Sequence, residues 1–171
     1  MVCLETSETA IPVISAIIER EYDGKKEILL QTRIADYDDM YKGTIEIPAG
    51  RIESFENVYT TIKREVKEET GLEVIEIFPK PSNKLFSTKR EDQAFVFIPY
   101  CCQQLLKGNI PWIGFVFLCK VKRKLKPNKN ETKNLKWVDL TELKGLVTDS
   151  PDKIFTLQLP VLDFYLENQI I

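Results

Sequence analysis

Residues 50–72 read GRIESFENVYTTIKREVKEETGL. The segment is bounded by Gly50 and Gly71, and Val58, Ile62 and Val66 recur between them at the spacing of one helical face. This pattern predicts a helix from about Asn57 to Thr70, with Gly71 as its left-handed stop. At about 100° per residue, Val58, Ile62 and Val66 fall within roughly 80° of each other, and Glu65 and Glu69 within about 20° of Val58. Two carboxylates are therefore expected on the inward side. Thr60, Lys63 and Lys67 take the outward face, and Arg64 and Glu68 a flank.

That arrangement is costly. Exposed like charges four residues apart repel by a few tenths of a kcal/mol, but two carboxylates about 6 Å apart at an effective dielectric near 20 repel by roughly 3 kcal/mol. The helix C-terminus adds partial negative charge at Glu68 and Glu69, and the chain contains no histidine to offset it. A divalent cation would supply the missing charge. Hard oxygen ligands suit magnesium, manganese or calcium, and a site that keeps waters and takes further ligands from a phosphate is of the magnesium type. The competing reading of the same letters is a solvated acidic helix with i to i+4 pairs such as Arg64 with Glu68.

Outward from the helix, "IPVISAIIEREY" and "KEILLQTRI" are aliphatic runs separated by "DGKK", a hairpin signal, and "GTIEIPAG" reads as a short strand ending at Pro48. Beyond Gly71, "LEVIEIFPK" alternates, "NKLFSTK" is a short strand, and "QAFVFIPYCC" and "PWIGFVFLCKVKR" read as buried, aromatic-rich strands. "KLKPNKNETKN" is an exposed loop, "LKWVDL" a last strand and "TELKGL" a short helix. Ser150-Pro151 opens a helical tail to about Asn168 that Pro160 is expected to kink or interrupt. No repeat, low-complexity tract or linker divides the chain, so residues 1–171 are expected to form one domain. Strands on either side of one central helix, with a helix at the end, predict a mixed sheet covered on both faces, an α/β layered sandwich.

Composition narrows the function. Twenty-four Lys and Arg against 26 Asp and Glu give a formal charge of −2, which offers no field for gathering long nucleic acid or an anionic membrane. Cys3, Cys101, Cys102 and Cys119 lack metal-ligand spacing and suit a reducing compartment, so a cytoplasmic location is expected. The N-terminal stretch has no basic start and carries acids ahead of a short apolar run, unlike a secretory signal or a membrane span. Without histidine, Ser-His and Cys-His nucleophile systems and His-ligated zinc are excluded.

The full spacing is Gly50, five residues, Glu56, seven residues, Arg64-Glu65-Val66, one residue, Glu68-Glu69, one residue, Gly71-Leu72. It resembles a complete Nudix box, and the flanks "YKGTIEIPAGRIE" and "LKWVDLTEL" are similar to the family's usual surroundings. The similarity runs from about residue 10 to 147. It implies a Nudix-type α/β/α sandwich with a mixed β-sheet, and an enzyme in which Mg2+, or Mn2+, lets water cleave a diphosphate linked to another moiety. By the resemblance, Glu65 and Glu69 are the main metal ligands, with Glu68 close by and a backbone carbonyl at Ala49 or Gly50 completing the set. Glu53 resembles an additional metal ligand of several branches. Glu56 and Arg64 would form a buried pair that orients loop and helix, and Gly50 and Gly71 would permit the turns at each end. The proton acceptor varies within the family, which leaves Glu68, Glu91, Asp92 and Glu131 as candidates.

The alanine of "IPAG" is similar to ADP-ribose and nucleotide-sugar pyrophosphatases, whereas "PGG" is more usual in triphosphate-cleaning, MutT-like enzymes. Against the first branch, its downstream proline has no clear counterpart among Pro79, Pro81 and Pro99. A non-catalytic nucleotide sensor on the same fold is a further alternative. An isoprenoid isomerase is disfavoured because Cys101 and Cys102 do not occupy recognisable equivalents. The implied partner is a small nucleotide diphosphate, and a homodimer is the common assembly of relatives. Arg51, beside the metal loop, is the cation most suited to phosphate. Arg33, Lys89 and Arg90 read as ordinary surface charges, and Phe95, Phe97, Tyr100, Trp112 and Phe115 as core residues first and a wall for a base second.

Overall fold

The computed structural model describes residues 9–34, 41–82, 84–126 and 132–169. Strand β1 (Ile11–Tyr22) turns at Asp23 and Gly24, both with positive φ, into β2 (Lys25–Arg33). That two-residue loop, with Tyr22 opposite Lys25, is the hairpin expected from "DGKK". The short strands β3 (Ile45–Glu46) and β4 (Ala49–Arg51) follow, and helix α1 spans Val58–Thr70. Asn57 caps α1 by accepting the Tyr59 N–H, and Gly71 ends it at φ 75° with its N–H on the Lys67 carbonyl, as the sequence predicts.

Strands β5 (Glu73–Phe78), β6 (Leu85–Ser87), β7 (Gln93–Phe95), β8 (Cys101–Gln104), β9 (Trp112–Lys122) and β10 (Thr132–Asp139) come next. The main sheet has the order β10-β2-β1-β9-β5, with β3 on β2, β4 on β1 and β8 on β9. β1 and β9 run parallel from Ile11↔Trp112 to Glu19↔Lys120, and the other pairs are antiparallel, so the sheet is mixed.

Strand alternation divides the core. Ile14, Ala16 and Ile18 of β1 pack with Leu29, Phe117 and the inner face of α1. Ile17, Ile28, Leu30 and Val116 point to the other side, against α2 (Leu140–Asp149) and α3 (Leu159–Glu167). The result is the expected α/β/α sandwich. A third cluster of Val13, Tyr41, Trp112, Phe155 and Leu157 closes one end of the sheet.

Two expectations need correction. "QAFVFIPYCC" is not one buried strand: β7 pairs only with β6 in a separate two-stranded sheet, and Val96 and Ile98 are two-thirds exposed. Only one face of this segment is covered, where Phe95 and Phe97 turn inward, and Pro99, which lacks an N–H, lies between β7 and β8. The tail is likewise not one kinked helix. Pro151–Lys153 form a 3-10 turn, Ile154 bridges to Ile45, and Pro160 sits in the first turn of α3, where its missing N–H has no helical partner to lose.

Candidate active site

β4 is held by three residues of β1, with Val13 opposite Arg51, Ile14 opposite Gly50 and Ser15 opposite Ala49. This fixes the Ala49–Arg51 backbone under the C-terminal half of α1. The Ala49 N–H donates to Glu69 Oε2 at 3.0 Å, which ties the loop directly to the helix.

Gly50 owes its identity to space rather than to turning. A Cβ there would lie 1.9 Å from the Glu65 carboxyl carbon, so the glycine makes room for that carboxylate. The turn role expected for Gly50 is thus replaced by a steric one, while Gly71 does take the left-handed conformation.

Arg64 gathers three acids. Its Nε donates to Glu56 Oε1 at 3.0 Å and its Nη2 to Glu56 Oε2 at 2.8 Å, a two-pronged pair. Its Nη1 reaches Glu65 Oε1 at 2.6 Å and Glu68 Oε2 at 3.3 Å. The Arg64 hydrogen bond holds the half-buried Glu56 carboxyl well below its usual range, at about 2, and the carboxylates push the guanidinium still higher. The loop-closing pair suggested by the box is present, though partly rather than fully buried.

Glu69 sits in a different environment. It is 9% exposed and accepts from Gln31 Nε2 at 3.1 Å as well as from Ala49. The same Gln31 nitrogen lies 3.4 Å from Glu46 Oε1, and Glu46 also pairs with Arg33 Nη1 at 2.9 Å. Burial first, then the charges of Glu46 and Glu65, push the Glu69 carboxyl well above the ordinary carboxylate range, although Gln31 and Ala49 pull the other way.

Ala49, Gly50, Arg51, Glu65, Glu68 and Glu69 all line one cleft of about 370 Å³, together with Arg33, Glu46, Trp112 and Phe155. The sequence-predicted site residues around the helix are therefore brought together. Glu53 is exposed in the turn before α1, with its N–H 3.3 Å from Glu56 Oε2, and does not line the cleft. Lys89, Arg90, Glu91 and Asp92 lie exposed in the turn between β6 and β7 and do not line it either. Glu131 lies outside the described residues.

Of the aromatics considered for a base-binding wall, only Trp112 lines the cleft. Phe95, Phe97 and Phe115 stack on one another and toward Tyr59 and Phe117 in the core, and Tyr100 packs on Phe164 and Tyr165 of α3. Sequence reasoning missed Gln31, Glu46 and Phe155. The available signal for the first two was a polar residue at an inward position of an otherwise apolar strand, since Gln31 and Glu46 are register partners and are 1% and 3% exposed.

The donor set suits a hard cation: carboxylate and backbone oxygens, with no histidine in the chain. The missing Cβ of Gly50 leaves the Glu65 carboxylate seated against the loop, beside Glu69. Among the described residues no three acidic or thiol side chains form a ready-made metal cage. Among the described residues no helix is long and apolar enough to cross a membrane.

The family model for the NUDIX domain matches residues 12–158. Among solved structures, the chain is similar to the MutT protein from Methanosarcina mazei Go1, at 19% identity and TM-score 0.65, covering 96% of this chain and 99% of that one. It is similar to the NUDIX domain of Shewanella oneidensis NrtR complexed with ADP ribose, at 13% identity and TM-score 0.64, covering 95% and 90%. A C. elegans Ap4A hydrolase binary complex shares 16% identity at TM-score 0.58, over 94% and 100%. At these identities the likeness is one of fold. No curated protein matches the chain. The family match encloses every residue that lines the cleft, and the chain belongs to the NUDIX domain family.

Proposed function

We propose that the protein is a Nudix hydrolase that uses Mg2+, or Mn2+, to cleave the diphosphate of a nucleotide joined to another moiety, with ADP-ribose or a nucleotide sugar favoured. The observation that carries this reading is Glu69, a buried carboxylate facing Glu46 and Glu65 with its ionised form disfavoured in the absence of added positive charge.

Glu65 and Glu69 would hold the cation, with Glu68 and the Ala49–Gly50 backbone beside them. When bound, such a cation neutralises phosphate oxygens and lowers the pKa of a water. The chain's own residues do the rest. Ala49 N–H and Gln31 orient Glu69, and Arg64 sets the direction of Glu65 while anchoring Glu56. Glu68, whose side chain is 48% exposed within the cleft, accepts the proton of the attacking water; neither Glu91 nor Asp92 lines the cleft. Arg51 faces the diphosphate from the metal loop.

Support for the substrate class comes from the "IPAG" loop and from the ADP ribose held by the NrtR domain. The MutT and Ap4A hydrolase neighbours support a second reading, hydrolysis of nucleoside triphosphates or dinucleoside polyphosphates. A panel of ADP-ribose, nucleotide sugars, dinucleotides and nucleoside triphosphates, assayed with each metal, separates these. Release of a nucleoside monophosphate from ADP-ribose in Mg2+ is the expected result. A flat trace across the panel with both metals overturns the enzymatic reading in favour of a ligand-binding NUDIX domain.

A further inference from the structure

Arg33 lines the same cleft as the helix carboxylates. Its Nη1 donates to Glu46 Oε2 at 2.9 Å, with side-chain exposures of 25% for Arg33 and 5% for Glu46. Its guanidinium carbon stands 5.0 Å from the centre of the Phe155 ring and 6.0 Å from that of Trp112. These rings meet edge to face at 5.3 Å, and Tyr41 abuts Phe155 at 4.9 Å, so the backing is a rigid aromatic cluster.

A cleft arginine can serve as a two-pronged fork for phosphate or as a flat surface for stacking. The fork is disfavoured at this position. Glu46 offsets the charge and occupies one N–H of the guanidinium. The Nε–H, which a fork would use, is buried without a partner among the described residues. The stacking surface is favoured. Trp112 and Phe155 are 6% and 4% exposed, so the rings themselves offer little open surface, and the guanidinium beside them is a planar, weakly hydrated cation that lines the cleft.

We propose that Arg33 is a nucleobase platform: the base of the substrate stacks on its guanidinium, while the diphosphate extends toward Ala49–Arg51 and the helix carboxylates. This rests on the reading of the cleft as a nucleoside diphosphate site, and it narrows the substrate to base-bearing diphosphates. Glu46 is then a positioning residue that fixes the plane, and Phe155 is its support.

The test reads binding rather than turnover. The α,β-methylene analogue of ADP and methylenediphosphonate, which carries the same bridge without a nucleoside, are titrated calorimetrically in Mg2+. Arg33→Lys keeps the charge opposite Glu46 but loses the plane. It is expected to weaken the nucleoside ligand by about tenfold, the size of one base-stacking contact, and to leave methylenediphosphonate within about twofold. Phe155→Leu removes only the backing and should weaken the same ligand by roughly threefold. An equal loss for both ligands would make Arg33 a phosphate fork. No loss for either, or no binding of the nucleoside ligand to the wild-type protein, also overturns the platform. Selective binding without cleavage of any member of the substrate panel, in either metal, upholds the platform and rejects the hydrolase.

Discussion

Two groups of acids meet on the inner half of α1, and they are balanced in opposite ways. Around Arg64, the carboxylates of Glu56, Glu65 and Glu68 share one guanidinium at 2.6 to 3.3 Å. Around Gln31, Glu46 and Glu69 share one neutral amide, whose own oxygen is buried without a partner among the described residues. The first group has a cation of its own at its centre, which pairs with all three acids. In the second, Arg33 pairs with Glu46 but only the neutral amide joins Glu46 to Glu69, and burial, followed by the charges of Glu46 and Glu65, leaves Glu69 biased toward its protonated form. One helix thus combines a guanidinium-bridged brace with a carboxylate whose ionisation favours an incoming cation.

The sharpest way to break this contrast is Glu69→Gln, which keeps the shape and removes the charge. Turnover in Mg2+ should fall on the order of a thousandfold, while the metal-free melting temperature stays level or rises. A metal-free protein that loses stability in this variant would show that Glu69 is a structural acid.

Gly50→Ala tests the seat of Glu65 without touching any charge. The added methyl collides with that carboxylate and should weaken Mn2+ binding, read directly by electron paramagnetic resonance, by roughly 10- to 100-fold. Arg64→Ala attacks the brace instead. Its pairs are partly exposed, so a loss of about 2 kcal/mol in urea denaturation of the metal-free protein is expected, below the range for a fully buried pair.

The smallest effect is a two-limbed pH dependence of metal-free stability. Glu69 has its pKa raised above 4.5, so the folded state holds that proton more tightly than the unfolded chain, and stability rises as pH falls through the raised value toward 4.5. Glu56 has its pKa lowered to about 2, so its contribution is present above 4.5 and is lost as pH falls from 4.5 toward 2. Urea midpoints should climb and then drop on acidification. Glu69→Gln should flatten the first limb alone, and Glu56→Gln the second.

How much of this was readable from the chain depends on the range of the contacts. The burial of Glu69 and the partial burial of Glu65 followed from helical period alone, because both share a face with Val58 and Ile62. The Asp23-Gly24 hairpin and the Gly71 stop followed from local backbone preference. Gln31 and Glu46 carried only a weak signal, a polar residue at an inward strand position, and the pairing of β2 with β3 that makes them neighbours is a tertiary contact. Arg33, Trp112 and Phe155 come from β2, β9 and the segment before α3, and only the tertiary fold makes them neighbours. Phe95 and Phe115 show the converse: these strand aromatics read as core before wall, and they pack against the core.

The two ends of α1 are fastened very differently. At the C-terminal end the Lys126 N–H donates to the Thr70 carbonyl at 2.8 Å, and the backbone of Lys126 lies so close to Gly71 that a Cβ would meet it at 2.7 Å. The approach to the N-terminal end, residues 52–57, instead runs through an exposed turn with Phe55 at φ 62°. Amide exchange should therefore be slowest at Gly71 and Lys126 and fastest across the approach, so breathing of the loop can admit a ligand while the acid-bearing terminus stays stationary.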